Sequence, residues 1–136
     1  MDEFAYFDHD ADIGIVGKGS TLEYAFESAA KAMFAIMAEE LSEPLKIEVS
    51  FTFEEEDTEF ALIRWLNYLL AHAQSRSIIL GRFELRREGA LWHTKAWGVP
   101  WSQEIVRGVE VKGATLTMLS VEERDGHWEA RCIVDV

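Results

Sequence analysis

The sequence predicts an α+β fold in which two helices pack on one face of a mostly antiparallel sheet. Three observations predict it. Two segments repeat their apolar residues every three or four positions, as one face of a helix requires. Other segments alternate apolar and polar residues strictly, as half-buried strands do. The late strands follow one another through tight turns, which makes neighbours antiparallel. A length of 136 residues with 49% hydrophobic content fits one domain, 1–136, whose core folds without a disulfide or a metal.

The elements follow in order. Ser20-Thr21-Leu22-Glu23 has the form of a capping box, with the Ser20 hydroxyl and Glu23 carboxylate on the free N–H groups of a first turn. Leu22, Phe26, Ala29, Met33 and Met37 then mark one face of a helix running to about Ala38, stopped by Ser42-Glu43-Pro44. Glu27 and Lys31 stand one turn apart on its outside, in the favourable order. From Lys46 to Phe53, Ile47, Val49, Phe51 and Phe53 alternate with polar residues as a strand. An acidic turn, Glu54 to Thr58, leads into a second helix with Leu62, Ile63, Leu66, Leu69, Leu70 and Ala73 on its broad apolar face. Asp57 and Glu59 suit the positive end of that helix's dipole.

Beyond Gln74 the period returns to two. Phe83 and Leu85 alternate with Arg82, Glu84 and Arg86, and Glu88-Gly89 turns the chain into Leu91–Trp97. Gly98-Val99-Pro100-Trp101 breaks the pattern and opens a loop to about Gly108. Val109 and Val111 start a further strand, and Met118 to Glu123 continue the sheet. Asp125-Gly126 is a tight-hairpin signal before a last strand that alternates Trp128, Ala130, Cys132 and Val134 with Glu129, Arg131, Ile133 and Asp135. The chain has no internal repeats and no low-complexity segments.

Charge narrows the function. The net charge is −12, from 25 Asp and Glu against 13 Lys and Arg, which repels a phosphate backbone. Direct nucleic-acid binding is therefore not expected, nor is anchoring on an anionic membrane. A basic protein or a cation is the complement. A single cysteine, Cys132, excludes an internal disulfide and a Cys-rich zinc site, and it fits a reducing cytoplasm. There is no basic start followed by an apolar run, so no signal peptide is expected, and the apolar stretches fall short of a membrane span.

Several patterns resemble sites and fail. In Gly14-Ile15-Val16-Gly17-Lys18-Gly19-Ser20 a glycine intervenes where a phosphate loop needs Lys followed directly by Ser or Thr, so the run reads as a tight turn feeding the first helix. Asp8, Asp10 and Asp12 would point to one side of an extended backbone. They have the spacing of half a calcium loop, but Ile13 and Gly19 stand where its turn glycine and bidentate acid belong. Two readings stay open: a hard cation held with help from elsewhere in the chain, or turn aspartates screened by water. Asp135 and the terminal carboxylate of Val136 are candidate help, or a fraying end. Lys112 reads locally as a solvated lysine, and Trp101 as either an exposed anchor or a cover over a core edge. His9, His72, His93 and His127 share no metal-ligand spacing, and no nucleophile motif appears.

Four segments together resemble the archease family. His9-Asp10-Ala11-Asp12-Ile13-Gly14-Ile15 resembles its HTADxGI opening, and Leu22 to Phe34 its first helix. Gly108-Val109-Glu110-Val111-Lys112-Gly113-Ala114-Thr115 resembles its GTEVKAxT strand, and Ile133-Val134-Asp135-Val136 its VVLDV-type terminus. The resemblance implies a cytoplasmic accessory protein, not itself an enzyme. It would promote guanylylation and turnover of the RtcB-type ligase in tRNA splicing and broaden its nucleotide use. It also implies a divalent-metal site, usually described with calcium, on Asp12, Asp135 and Val136, and a functional lysine at Lys112. The alternative is a chaperone or interaction module for RNA-modifying enzymes such as tRNA methyltransferases. Asp10 stands where the family usually has Thr, which makes it a candidate additional ligand. Gly113-Ala114-Thr115-Leu116-Thr117 replaces the more usual Ala-x-Thr-Tyr-His.

Overall fold

The structure is a computed structural model that describes residues 3–9, 11–41 and 44–136. A hairpin of β1 (Glu3–His9) and β2 (Asp12–Gly19) comes first. Helix α1 (Leu22–Met37), strand β3 (Ile47–Glu54) and helix α2 (Thr58–Arg76) follow, then β4 (Ile78–Glu88) and β5 (Leu91–Pro100). The chain closes with β6 (Gly113–Ala114), β7 (Ser120–Arg124) and β8 (His127–Asp135). The fold is α+β with antiparallel pairing throughout, and its strands divide between two sheets. One runs β1-β2-β8-β6, with β7 also on β8; the other runs β3-β5-β4.

Helix α1 lies against both sheets, which is why its burial exceeds one stripe. On one side, a Cβ at Gly17 would fall inside the backbone of Ala25 and Ala29, so the helix rests directly on β2. The run from Gly14 to Gly19 is thus strand rather than a tight turn, and its glycines permit close packing. On the other side, Phe26 stacks on Trp92 at 5.4 Å and Phe34 packs on Phe83. Glu27 is buried rather than outward, and its carboxylate accepts a hydrogen bond of 2.9 Å from the Leu85 N–H on the outer edge of β4. The cap is Thr21, whose hydroxyl accepts from Tyr24 N–H, in place of the expected Ser20. Ala38 ends the helix; Ser42 and Glu43 of the expected stop lie outside the described residues.

Helix α2 covers the inner face of the three-stranded sheet. Asp57 caps it, accepting from Glu59 and Phe60 N–H at 2.9 Å each, and Ser77 ends it in the left-handed conformation. The buried Trp65 indole donates to Thr94 Oγ1 at 2.8 Å, so neither polar group is left unpaired in the core. Strand β5 runs on through Gly98 to Pro100, past the expected break. Val109 and Val111 do not start a strand; pairing begins only at Gly113, because residues 108–109 are held instead by the last turn of α1. There Gly108 and Val109 N–H donate to the carbonyls of Met37 and Ile36 at 2.9 Å. Met118, expected in a strand, has φ +53° in the loop before β7. Trp101 folds back on the core, with the Arg107 guanidinium 3.9 Å above its ring. No helix among the described residues is long and apolar enough to cross a membrane.

Candidate functional site

The register of the five-stranded sheet sets the site. Strand β2 pairs β8 with Ile13 opposite Val134, and the next step outward sets Asp12 beside Asp135. Val136 N–H makes a long 3.4 Å contact with Asp12 Oδ1, which draws the end of β8 to that carboxylate. On the other side of β8, Gly113 lies opposite Asp135, and Lys112 N–H donates to the Asp135 carbonyl at 2.8 Å. Three stretches distant in sequence thus bring Asp12, Lys112, Asp135 and Val136 to one corner. Asp12 and Val136 are half-buried, while Lys112 and Asp135 are exposed.

Helix α2 fixes the lysine-bearing segment. Asn67 accepts from Ala114 N–H at 2.9 Å and donates to the Ala114 carbonyl at 3.1 Å, so one side-chain amide satisfies both backbone groups of an edge residue. Val111 is fully buried beneath. The Lys112 backbone is therefore held by core and sheet together, and its side chain projects from a fixed base.

The aspartates do not share one face. The chain reverses between His9 and Asp12, which pair directly, and Asp8 pairs with Ile13. Directly paired residues share a face and neighbours along a strand alternate, so Asp8 points away from the Asp12 side. Asp10 lies outside the described residues. His9, which by sequence shares no metal-ligand spacing with the other histidines, lies on the Asp12 side of the hairpin. Only the hairpin register shows this, since spacing along one strand does not contain it.

Oxygen donors of this kind suit a hard cation. Asp12 and Asp135 supply two carboxylates, and the Val136 end lies against Asp12. Among the described residues no three His, Cys, Asp or Glu side chains group to hold a metal ion. The donor chemistry fits a hard divalent cation, but the side chains alone would leave part of a six-to-eight-oxygen shell such as that of calcium to backbone and water. The surface here is a corner rather than a cleft. Two concavities, of about 770 and 330 Å³, lie on the three-stranded sheet and beside the end of α1, and neither is lined by Asp12, Lys112, Asp135 or Val136. Cys132 lies near in sequence but is inert: burial pushes its thiol up to about 12.

Comparison with known proteins identifies the family. Residues 4–136 match the model of the Archease protein family (MTH1598/TM1083). The chain belongs to the archease family. Protein archease of Sulfolobus acidocaldarius is 34% identical over 139 residues, covering both chains completely, and that of Pyrococcus furiosus is 32% identical over 142 residues, also completely. The solution structure of Methanobacterium thermoautotrophicum protein 1598 has a TM-score of 0.86 at 31% identity, covering 98% of each chain. The crystal structure of a Thermotoga maritima archease, described as a possible chaperone, has a TM-score of 0.68 at 20% identity, covering 96% of this chain and 94% of its own. The latter shares the fold. The matched family and relatives are named as archeases, with no reaction attached.

Proposed function

We propose that this archease is a metal-binding accessory protein, acting in the cytoplasm, that activates an RtcB-type RNA ligase by promoting its guanylylation and turnover. The observation that carries the reading is the convergence of Asp12, Asp135, Val136 and Lys112 on one exposed corner. Asp12, Asp135 and the Val136 carboxylate would hold a divalent cation, calcium as the family resemblance implies, with Asp10 as a further candidate ligand. When bound, the cation supplies a fixed positive charge for phosphate oxygens. Lys112 is exposed on a pinned segment whose backbone is bonded to Asp135. An exposed corner suits presentation to another protein's active site better than enclosure of a substrate. The chain's −12 charge favours docking on a basic RNA-binding protein over contact with RNA itself.

Single-turnover guanylylation of a cognate ligase tests this with wild type, Asp12→Ala, Asp135→Ala and Lys112→Ala. Stimulation by wild type that falls at least tenfold in the variants supports the reading. Equal stimulation by all four removes the site, and none by wild type removes the activator role.

A second reading, a chaperone for enzymes such as tRNA methyltransferases, has one observation in its favour. Phe4 and Tyr6 expose an aromatic pair on the edge strand β1, their rings 5.7 Å apart. Protection of a methyltransferase from aggregation, lost in Phe4→Ser, would support it.

A further inference from the structure

The outer edge of the five-stranded sheet is one strand interrupted. Ala114 of β6 lies opposite Val134, and Ser120 of β7 lies opposite Arg131, on the same side of β8. Between those pairs five residues, 115–119, face only two, Cys132 and Ile133. The surplus is thrown outward as a large bulge, a device that re-aims side chains next to functional sites.

This bulge is held firmly. Thr115 N–H and Oγ1 both donate to the Ile133 carbonyl, at 3.0 and 2.9 Å, and Ile133 N–H donates to the Thr117 carbonyl at 3.2 Å. Met118 takes a left-handed backbone, φ +53°, which L side chains seldom adopt. What the loop holds out is apolar: Leu116 is 60% exposed and Met118 49%. An edge that only needed protection from pairing would carry a lysine or a proline there. Two exposed apolar side chains on a hydrogen-bonded loop that follows Lys112 in the chain instead have the form of an anchor for a partner.

The surroundings choose the partner. Glu110 before the segment and Glu122 and Glu123 after it are exposed; Glu122 is paired with Arg124 at 2.6 Å, which leaves Glu110 and Glu123 as the acidic flanks of the apolar pair along the chain. The complement is an apolar pocket bordered by Lys and Arg, as a protein that binds RNA carries around its substrate channel.

We propose that the Thr115–Leu119 bulge is the docking element for the RtcB-type ligase, with Leu116 and Met118 seated in a basic-rimmed apolar pocket so that Lys112 and Asp135 reach the ligase's active site. This rests on the activator reading above and divides the labour within it. The bulge sets affinity, and the corner sets the effect once docked.

The test is single-turnover guanylylation titrated with wild type, the double variant Leu116→Ser/Met118→Ser and the single variant Leu116→Thr, each first shown to unfold at the wild-type temperature. The expected result is a rise of at least tenfold in the concentration giving half-maximal stimulation for the double variant, a smaller rise for the single, and an unchanged plateau. The wild-type half-maximal concentration should also rise with added salt. Superimposable curves overturn the proposal, as does a lowered plateau at unchanged half-maximal concentration. A wild-type dimer that the double variant dissociates, without any change in the titration, assigns the bulge to a second copy of this chain and overturns it too. Absence of any wild-type stimulation removes the activator reading itself, which distinguishes that failure from failure of the docking element.

Discussion

The two sheets are built on opposite plans. In the three-stranded sheet β4 and β5 run 11 and 10 residues with one irregularity, between Leu80 and Arg82. Its outer face is stitched by local pairs, Arg82 with Glu84 and Arg86 with Glu88, and Arg82 lies over the Trp97 ring. In the five-stranded sheet the outer edge is broken into two residues, a bulge and five residues. The regular sheet gives the core a flat wall. The irregular one is where chain segments end, bend and expose chemistry, and the candidate corner and docking loop both lie there. Regularity in this molecule accompanies support, and interruption accompanies presentation.

Substitutions can break that comparison. The largest loss is expected for Gly17→Val, since its side chain would meet the α1 backbone, which cannot step aside. We expect a cost of about 3 kcal/mol or more in denaturant unfolding, at the upper end for overpacking. A loss below about 1 kcal/mol would mean that α1 does not rest on β2 as described. Next comes Thr94→Val in the supporting sheet, which leaves the buried Trp65 indole N–H without its acceptor. That should cost about 1–3 kcal/mol, with no change in ligase stimulation.

Asn67→Ala sits between the two plans. Losing both hydrogen bonds to Ala114 should cost about 1–2 kcal/mol and speed amide hydrogen exchange at Ala114 selectively. Unchanged exchange there would show that the amide does not pin the segment. The smallest stability effect belongs to Lys112→Ala, within about 0.5 kcal/mol because the side chain is exposed, though stimulation of the ligase should be lost. Cys132 supplies a pH test. Its thiol is raised from 9.0 to about 12 in the folded protein, so it binds its proton more tightly folded than unfolded. Its contribution to stability is complete below pH 9 and is lost as pH rises towards 12. Cys132→Ser should flatten the alkaline limb of the unfolding profile.

Much of the supporting plan was legible in the sequence because its signals are local. The α2 face from Leu62 to Ala73, the strand from Ile47 to Phe53 and the Asp125-Gly126 hairpin each follow from spacing within a dozen residues. What escaped depended on distant partners. Glu27 looked like a surface residue because its acceptor role is to Leu85, 58 positions away. Val111 alternated like a strand residue, but residues 108–109 had already been claimed by the end of α1. Asp12, Asp135 and Val136 stand out as candidates from the residues themselves and Lys112 only through family resemblance; spacing alone does not join the four, because the register of β2, β8 and β6 does so. The bulge left no local signal beyond two apolar residues in a turn-rich stretch.

Strand β8 has a consequence for how the chain is made. It lies inside the five-stranded sheet, between β2 and the β6–β7 edge, yet it is the last of the described strands to leave a ribosome. The three-stranded sheet and α2 come from a continuous run, 47–100, and can assemble while synthesis continues. Strand β2 must wait more than a hundred residues for its neighbour, holding an unpaired edge meanwhile. The nascent protein therefore completes its scaffold first and gains its candidate corner only when residues near 135 emerge, so a truncated product would carry Lys112 and Asp12 with nothing to bring them together.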